Sequence, residues 1–309
     1  MRILLAVDQS KDSRIVIRLL QRLKWPAGST LIMLHVTTLS KEMSTVSLSR
    51  LPKKKFDDSE KLPIVVHAEL HRLEKQLVSD TLRVQSMVSN GVPGQEILRV
   101  IQNKKIDLVV VGARGLSRIS GLLLGSVSAW VLNDARCSAL IGRPTSHKTK
   151  SSSSLKVLLA TDGSQDSWKA VEFLKEIELP AGSTVTLLHV VRKHVYETEQ
   201  CVDRGEKSQT EFAKLVKGLC RDRGAVGVDL LKQTHKELDS LHLTIRERMA
   251  LGHEAQEILK TAKQQKIDLV LMGSKGISGL RRLLMGSVAQ TVSQHAPCSV
   301  LVVRSSKKS

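Results

Sequence analysis

The feature that most constrains this 309-residue chain is that it repeats itself. Pro26-Ala27-Gly28-Ser29-Thr30 returns as Pro180 to Thr184, and Leu34-His35-Val36 returns as Leu188-His189-Val190, both shifted by 154 positions. Lys105-Ile106-Asp107-Leu108-Val109 returns as Lys266 to Val270, and Cys137-Ser138 as Cys298-Ser299, now shifted by 161. A period this long is a duplicated domain rather than a solenoid, and the second copy has gained seven residues between the two sets of blocks. The boundaries read as a first domain over 1–144, a polar linker over 145–154 containing Ser151 to Ser154, and a second domain over 155–305. Each is long enough to bury its own core.

Within a copy, short β-branched runs alternate with stretches of helical period. In the first, Ile3 to Val7, Thr30 to Val36, Leu82 to Val88, Ile106 to Val111 and Ser138 to Ile141 read as strands. Between them Lys11 to Leu23, Ala68 to Val78, Gln95 to Gln102 and Ser126 to Leu132 carry apolar residues three and four apart. Leu39 to Ser59 and Glu199 to Gly227 read as loop with irregular helix. Runs such as Leu108-Val109-Val110-Val111 are apolar on both faces, which calls for a parallel sheet covered on each side. The fold class is therefore α/β, two tandem doubly wound parallel-sheet domains.

Ligands of such sheets bind beyond the carboxyl ends of the strands. The first strand is followed there by Asp8, its copy by Asp162, and Ser10 and Ser164 are placed to cap the next helix. The fourth strand runs into Gly112-Ala113-Arg114-Gly115, nine residues, then Gly125-Ser126; its copy reads Gly273-Ser274-Lys275-Gly276, nine residues, Gly286-Ser287. Backbone N–H groups can converge on an anion only where no Cβ stands in the way, and a helix start adds unpaired N–H groups and the positive end of its dipole. The bland alternative is that these glycines only make tight turns, which a duplication would also copy.

Taken together, an Asp after strand one, His-Val in strand two and Gly-x2-Gly-x9-Gly-Ser after strand four resemble the ATP-binding class of universal stress protein domains, twice, over nearly the whole chain. The resemblance implies strand order 3-2-1-4-5, a fold akin to adenine nucleotide alpha hydrolases, and ATP as ligand, with or without Mg2+. It implicates Asp8, Val36, Gly112, Arg114, Gly115, Gly125, Ser126, Val127 and Ser128 in the first copy. In the second it implicates Asp162, Val190, Gly273, Lys275, Gly276, Gly286, Ser287, Val288 and Ala289. Asp and the strand-two Val would hold ribose and adenine, and the glycine loop and helix start the phosphates. It also implies pairing through the fifth strands, within one chain or in a homodimer. The second copy follows the family pattern more faithfully, because the first has Gln9 for Gly163, Arg136 for Pro297 and Gly142 for Val303. A glycine in the last strand predicts weaker packing there.

The net charge of +18 is uneven: residues 1–150 carry 24 basic and 12 acidic side chains, the rest 24 and 18. Such a field favours acidic partners, anionic surfaces or nucleic acid. Three Trp, three Phe and one Tyr leave little for base stacking, and Lys53-Lys54-Lys55 is the longest lysine tract, so nucleic acid is disfavoured. Arg114, Arg118, Lys275, Arg281 and Arg282 lie in or beside the glycine loops, as phosphate partners or as a solvated basic surface. His67-Ala68-Glu69-Leu70-His71 places its Glu one position late for the zinc motif H-E-x-x-H, so both histidines read as solvated; His35 and His189 read as core histidines with backbone partners. Cys137, Cys201, Cys220 and Cys298 form no C-x-x-C pair, which fits unpaired thiols in a reducing compartment. No apolar run approaches the roughly 18 residues of a membrane span, and Asp8 comes too early for a signal-peptide core, so the expected location is cytoplasmic.

No Walker loop is present and no base for water activation stands out, so binding with at most slow hydrolysis is expected. The function read from the sequence is a nucleotide-responsive stress or regulatory protein acting through an unidentified protein partner. The alternatives are a scaffold with empty sites and an enzyme of adenylyl chemistry.

Overall fold

The computed structural model describes residues 1–8, 10–37, 56–115, 124–145, 154–192, 225–277 and 285–305. The linker over 145–154 lies largely outside these residues, as do Gln9, Lys53 to Lys55, Arg118, Cys201, Cys220, Arg281, Arg282 and most of the two stretches read as irregular. The chain divides into two compact units, the first built on Met1–Pro144 and the second on Thr145–Lys175 with Ala181–Ser305.

The first unit runs β1 (Arg2–Ala6), α1 (Lys11–Arg22), β2 (Ser29–Thr37), α2 (Phe56–Leu77), β3 (Leu82–Asn90), α3 (Pro93–Lys104), β4 (Leu108–Gly112), α4 (Ser126–Asp134) and β5 (Ser138–Gly142). Its strands are parallel in the order β3-β2-β1-β4-β5. The order reverses between β1 and β4, which opens a crevice where Asp8 and Gly112 emerge. Helix α1 packs with α2 and α3 with α4, a pairing that covers both faces of the sheet. This is why Leu108, Val109 and Val110 are fully buried, each contributing about 2 kcal/mol of burial.

Local chemistry sets the element ends. The Ser10 hydroxyl accepts the Ser13 N–H at 3.1 Å and caps α1, whose Val16, Ile17, Leu19 and Leu20 form the buried stripe. Pro93 opens α3, where its missing N–H costs nothing. Helix α2 begins at Phe56, twelve residues before the expected Ala68, and passes through Pro63. The proline removes one helical hydrogen bond without ending the helix.

The second unit repeats the plan with β6 (Lys156–Ala160), α5 (Gln165–Glu176), β7 (Thr184–Arg192), α6 (225–238), a 3-10 turn (Asp239–Leu241), β8 (Thr244–Gly252), α7 (Glu254–Gln264), β9 (Leu269–Gly273), α8 (Ser287–His295) and β10 (Ser299–Val303). The order is β8-β7-β6-β9-β10, again all parallel. Even the strand starts are tied alike. The Asp107 carboxylate accepts the Arg2 N–H at 2.7 Å, and Asp268 accepts that of Lys156 at 2.9 Å.

The expected weakness of β5 is corrected by its packing. All five of its residues are buried, and a Cβ at Gly142 would lie 1.7 Å from Cγ2 of Val16 on α1. The valine occupies the space that the glycine leaves. At the matching positions of the second unit stand Ala170 and Val303, both buried, so the large and small residues have changed places.

Candidate functional site

In the second unit all nine residues singled out from the sequence line one cleft of about 750 Å³. Strand β6 delivers Asp162 to its rim, β7 delivers His189 and Val190, β9 delivers Gly273, and α8 begins at its wall with Gly286, Ser287, Val288 and Ala289. Gly286 caps α8 without any side-chain hydrogen bond, so the first-turn N–H groups have no side chain competing for them. A helix start of this kind favours an anion.

The loop Gly273-Ser274-Lys275-Gly276 is pinned against the helix that follows β6. Buried Asp166, in the first turn of α5, accepts the Ser274 hydroxyl at 2.5 Å and the Lys275 N–H at 3.1 Å. The Ser164 hydroxyl donates to the Lys275 carbonyl at 3.0 Å while also capping α5 at Ser167. Asp162 accepts the Ser164 N–H at 3.0 Å through one oxygen and the Ile277 N–H at 3.1 Å through the other. Close approach explains the glycines: a Cβ at 276 would lie 2.7 Å from Oδ2 of Asp162, and one at 273 would lie 2.6 Å from the Asp166 backbone.

The first unit assembles its set with the same devices. A Cβ at Gly115 would meet Oδ2 of Asp8 at 3.0 Å, and one at Gly125 would meet the Ala113 carbonyl at 3.3 Å, with Arg114 beside it. The buried carboxylate of Asp12 accepts the Arg114 N–H at 3.1 Å. Gly125 starts α4 without a side-chain cap, leaving Ser126 and Val127 in its first turn; the Ser128 hydroxyl donates to the Gly112 carbonyl at 2.6 Å. Val36 is half-buried near the end of β2, next to His35. A cleft of about 480 Å³ in this unit holds Asp8 and none of the other eight residues.

The two strand-two histidines have the expected backbone partners but are half-buried at the clefts rather than in the core. His35 donates from Nδ1 to the Val7 carbonyl and His189 to that of Thr161, each at 2.9 Å, so each steadies the backbone just before the aspartate. Cys137 and Cys298 are both buried. His71 is exposed and pairs with Glu74. Asp12 and Asp166 are the residues that sequence reasoning missed. Their signal was their recurrence at matched positions, but an acid in a first helical turn is ordinarily explained by the dipole alone.

Comparison with known proteins agrees with this architecture. The chain matches the Universal stress protein family twice, over residues 1–143 and 154–304, and belongs to that family. Among curated relatives, universal stress protein YxiE of Bacillus subtilis is 32% identical over 149 residues, which are 48% of this chain and 98% of that protein. Universal stress protein MJ0531 of Methanocaldococcus jannaschii is 32% identical over 153 residues, 50% of this chain and 84% of that protein. Among solved structures, a universal stress protein from Archaeoglobus fulgidus aligns with all of this chain and 97% of its own, with a TM-score of 0.60 and 21% identity. That likeness extends the fold to the whole tandem chain.

Proposed function

We propose that the chain binds adenine nucleotide, ATP in preference to AMP, and acts as a nucleotide-responsive stress or regulatory protein in the cytoplasm. The observation that carries this reading is the convergence of the Asp162 carboxylate, the Gly273–Gly276 loop and the uncapped start of α8 on one cleft. Adenine lies against the backbone of Val190, and Asp162 accepts from the ribose hydroxyls. The phosphates face the loop, the Ser287 and Val288 N–H groups and the Lys275 ammonium. Among the described residues no cluster of three or more carboxylates, histidines or cysteines is arranged for a metal, so magnesium enters this reading only on the phosphates. In this reading the first unit uses Asp8, Gly112, Arg114, Gly115 and Gly125 to Ser128 in the same roles, and a protein partner senses the occupied state.

Calorimetry with ATP and AMP tests the phosphate assignment. Each helix-end contact is worth about 0.3 to 1 kcal/mol, so ATP binds several-fold more tightly. Equal affinities would remove the phosphate role from the glycine loop and the helix start.

A further inference from the structure

We propose that the first unit carries a second ligand site, between α1 and α2, for a small amphipathic anion: a carboxylate or phosphate head on a compact apolar body. The cleft of about 480 Å³ is within the usual size range of small-molecule sites. Its apolar wall is formed by buried Ile17 of α1 and by Leu70 and Leu73 of α2. Three guanidiniums line it as well, Arg14 and Arg18 one turn apart on α1 and Arg72 across from them on α2.

Set against Asp8 and Glu69, the three arginines leave the cleft one net positive charge for a ligand. Arg72 pairs with Glu69 at 3.2 Å, and Asp8 at the cleft's inner end accepts the Ser10 N–H at 3.1 Å. Among the described residues no ion pair engages Arg14 or Arg18. Side by side on a helix, two guanidiniums repel unless an anion joins them, and a planar fork suits carboxylate or phosphate.

The second unit shows that the fold itself does not require this cleft. Where the first unit has Arg14 and Glu69, the second has Trp168 and buried Leu230. Where Gln21 of the first unit donates to the Gln76 carbonyl at 3.2 Å, the second has Lys175 and Glu237, which join the two helices by a 2.8 Å ion pair. The bulk of Trp168 and Leu230 in one copy corresponds to a cationic cleft in the other. Only Asp8 is shared with the nucleotide set, so the proposal stands apart from that reading.

Titration of the full chain with octanoate, octyl phosphate and octanol, followed by calorimetry, tests this site. Both anions are expected to saturate one site per chain, with octanol about tenfold weaker because it lacks the charge. Arg14→Ala with Arg18→Ala weakens the anions about tenfold, and Arg14→Trp with Glu69→Leu, which installs the second unit's residues, removes them. Asp162→Ala leaves their binding unchanged. A preference for one head group assigns the ligand to phosphate monoesters or to carboxylic acids, and either upholds the site. Equal binding of octanol, unchanged binding in both folded double variants, or no saturation below about 1 mM would overturn it.

Discussion

The two units are built on one plan and have diverged in pairs of residues. On the packing side, Val16 and Gly142 in the first unit stand against Ala170 and Val303 in the second, a large-for-small exchange across the helix-strand contact. In the loops, Ser274 gives its hydroxyl to Asp166 where the first unit has Ala113, while Ser128 gives its hydroxyl to the Gly112 carbonyl where the second has Ala289. A close-packed interior tolerates a change at one position only if a neighbour gives way. The comparison teaches that fidelity to a pattern, read one residue at a time, misjudges a copy whose changes are paired. It also locates a difference between the two loops, since the second glycine loop has an extra side-chain tie to α5.

The largest expected effect is on that loop. Gly276→Val drives a branched side chain into the Asp162 carboxylate, 2.7 Å from where its Cβ would stand. Nucleotide affinity at the second unit should fall about 100-fold, roughly 2.7 kcal/mol, with the circular-dichroism spectrum native. Unchanged affinity would separate the loop from the ligand.

The next effect tests the paired packing. Gly142→Val overpacks against Val16 and should destabilise the first unit by about 2 kcal/mol, whereas Gly142→Val with Val16→Ala should recover most of that loss. Denaturant unfolding of the two single variants and the double gives the coupling energy. Additive losses would mean that the exchange with Ala170 and Val303 is accidental.

A smaller effect belongs to the loop hydroxyl. Ser274→Ala removes one buried hydrogen bond from Asp166 and should cost the second unit about 1 kcal/mol, with some loss of nucleotide affinity as the loop loosens. Ser128→Ala should cost the first unit about the same but act through the start of α4. If neither variant shifts the unfolding midpoint, these ties do not distinguish the units.

Much of this was legible in the sequence because it is written in local signals. Period and β-branching place the strands within one or two residues, and glycine spacing after β4 and β9 marks two loops, of which the one after β9 lines the second unit's cleft. What was not legible depends on neighbours distant in sequence. Gly142 reads as a defect until Val16, more than a hundred residues earlier, is seen against it. Asp12 and Asp166 look like dipole partners until their carboxylates are found on the loop after the fourth strand. The helix expected from Ala68 begins at Phe56, and it is held by Leu70, Leu73 and Leu77 packed further along. The arginine cleft was hidden for the same reason, since its two walls are some fifty residues apart.

The central claim is that nucleotide is held chiefly by the second unit's Asp162 and glycine loop. Mass spectrometry of ligand released from freshly purified protein, quantified per chain for the native sequence, Asp162→Ala and Asp8→Ala, tests it most directly. The account predicts released ATP, with the larger loss in Asp162→Ala. A larger loss in Asp8→Ala, or no adenine nucleotide from the native chain and none taken up from added ATP, would contradict it.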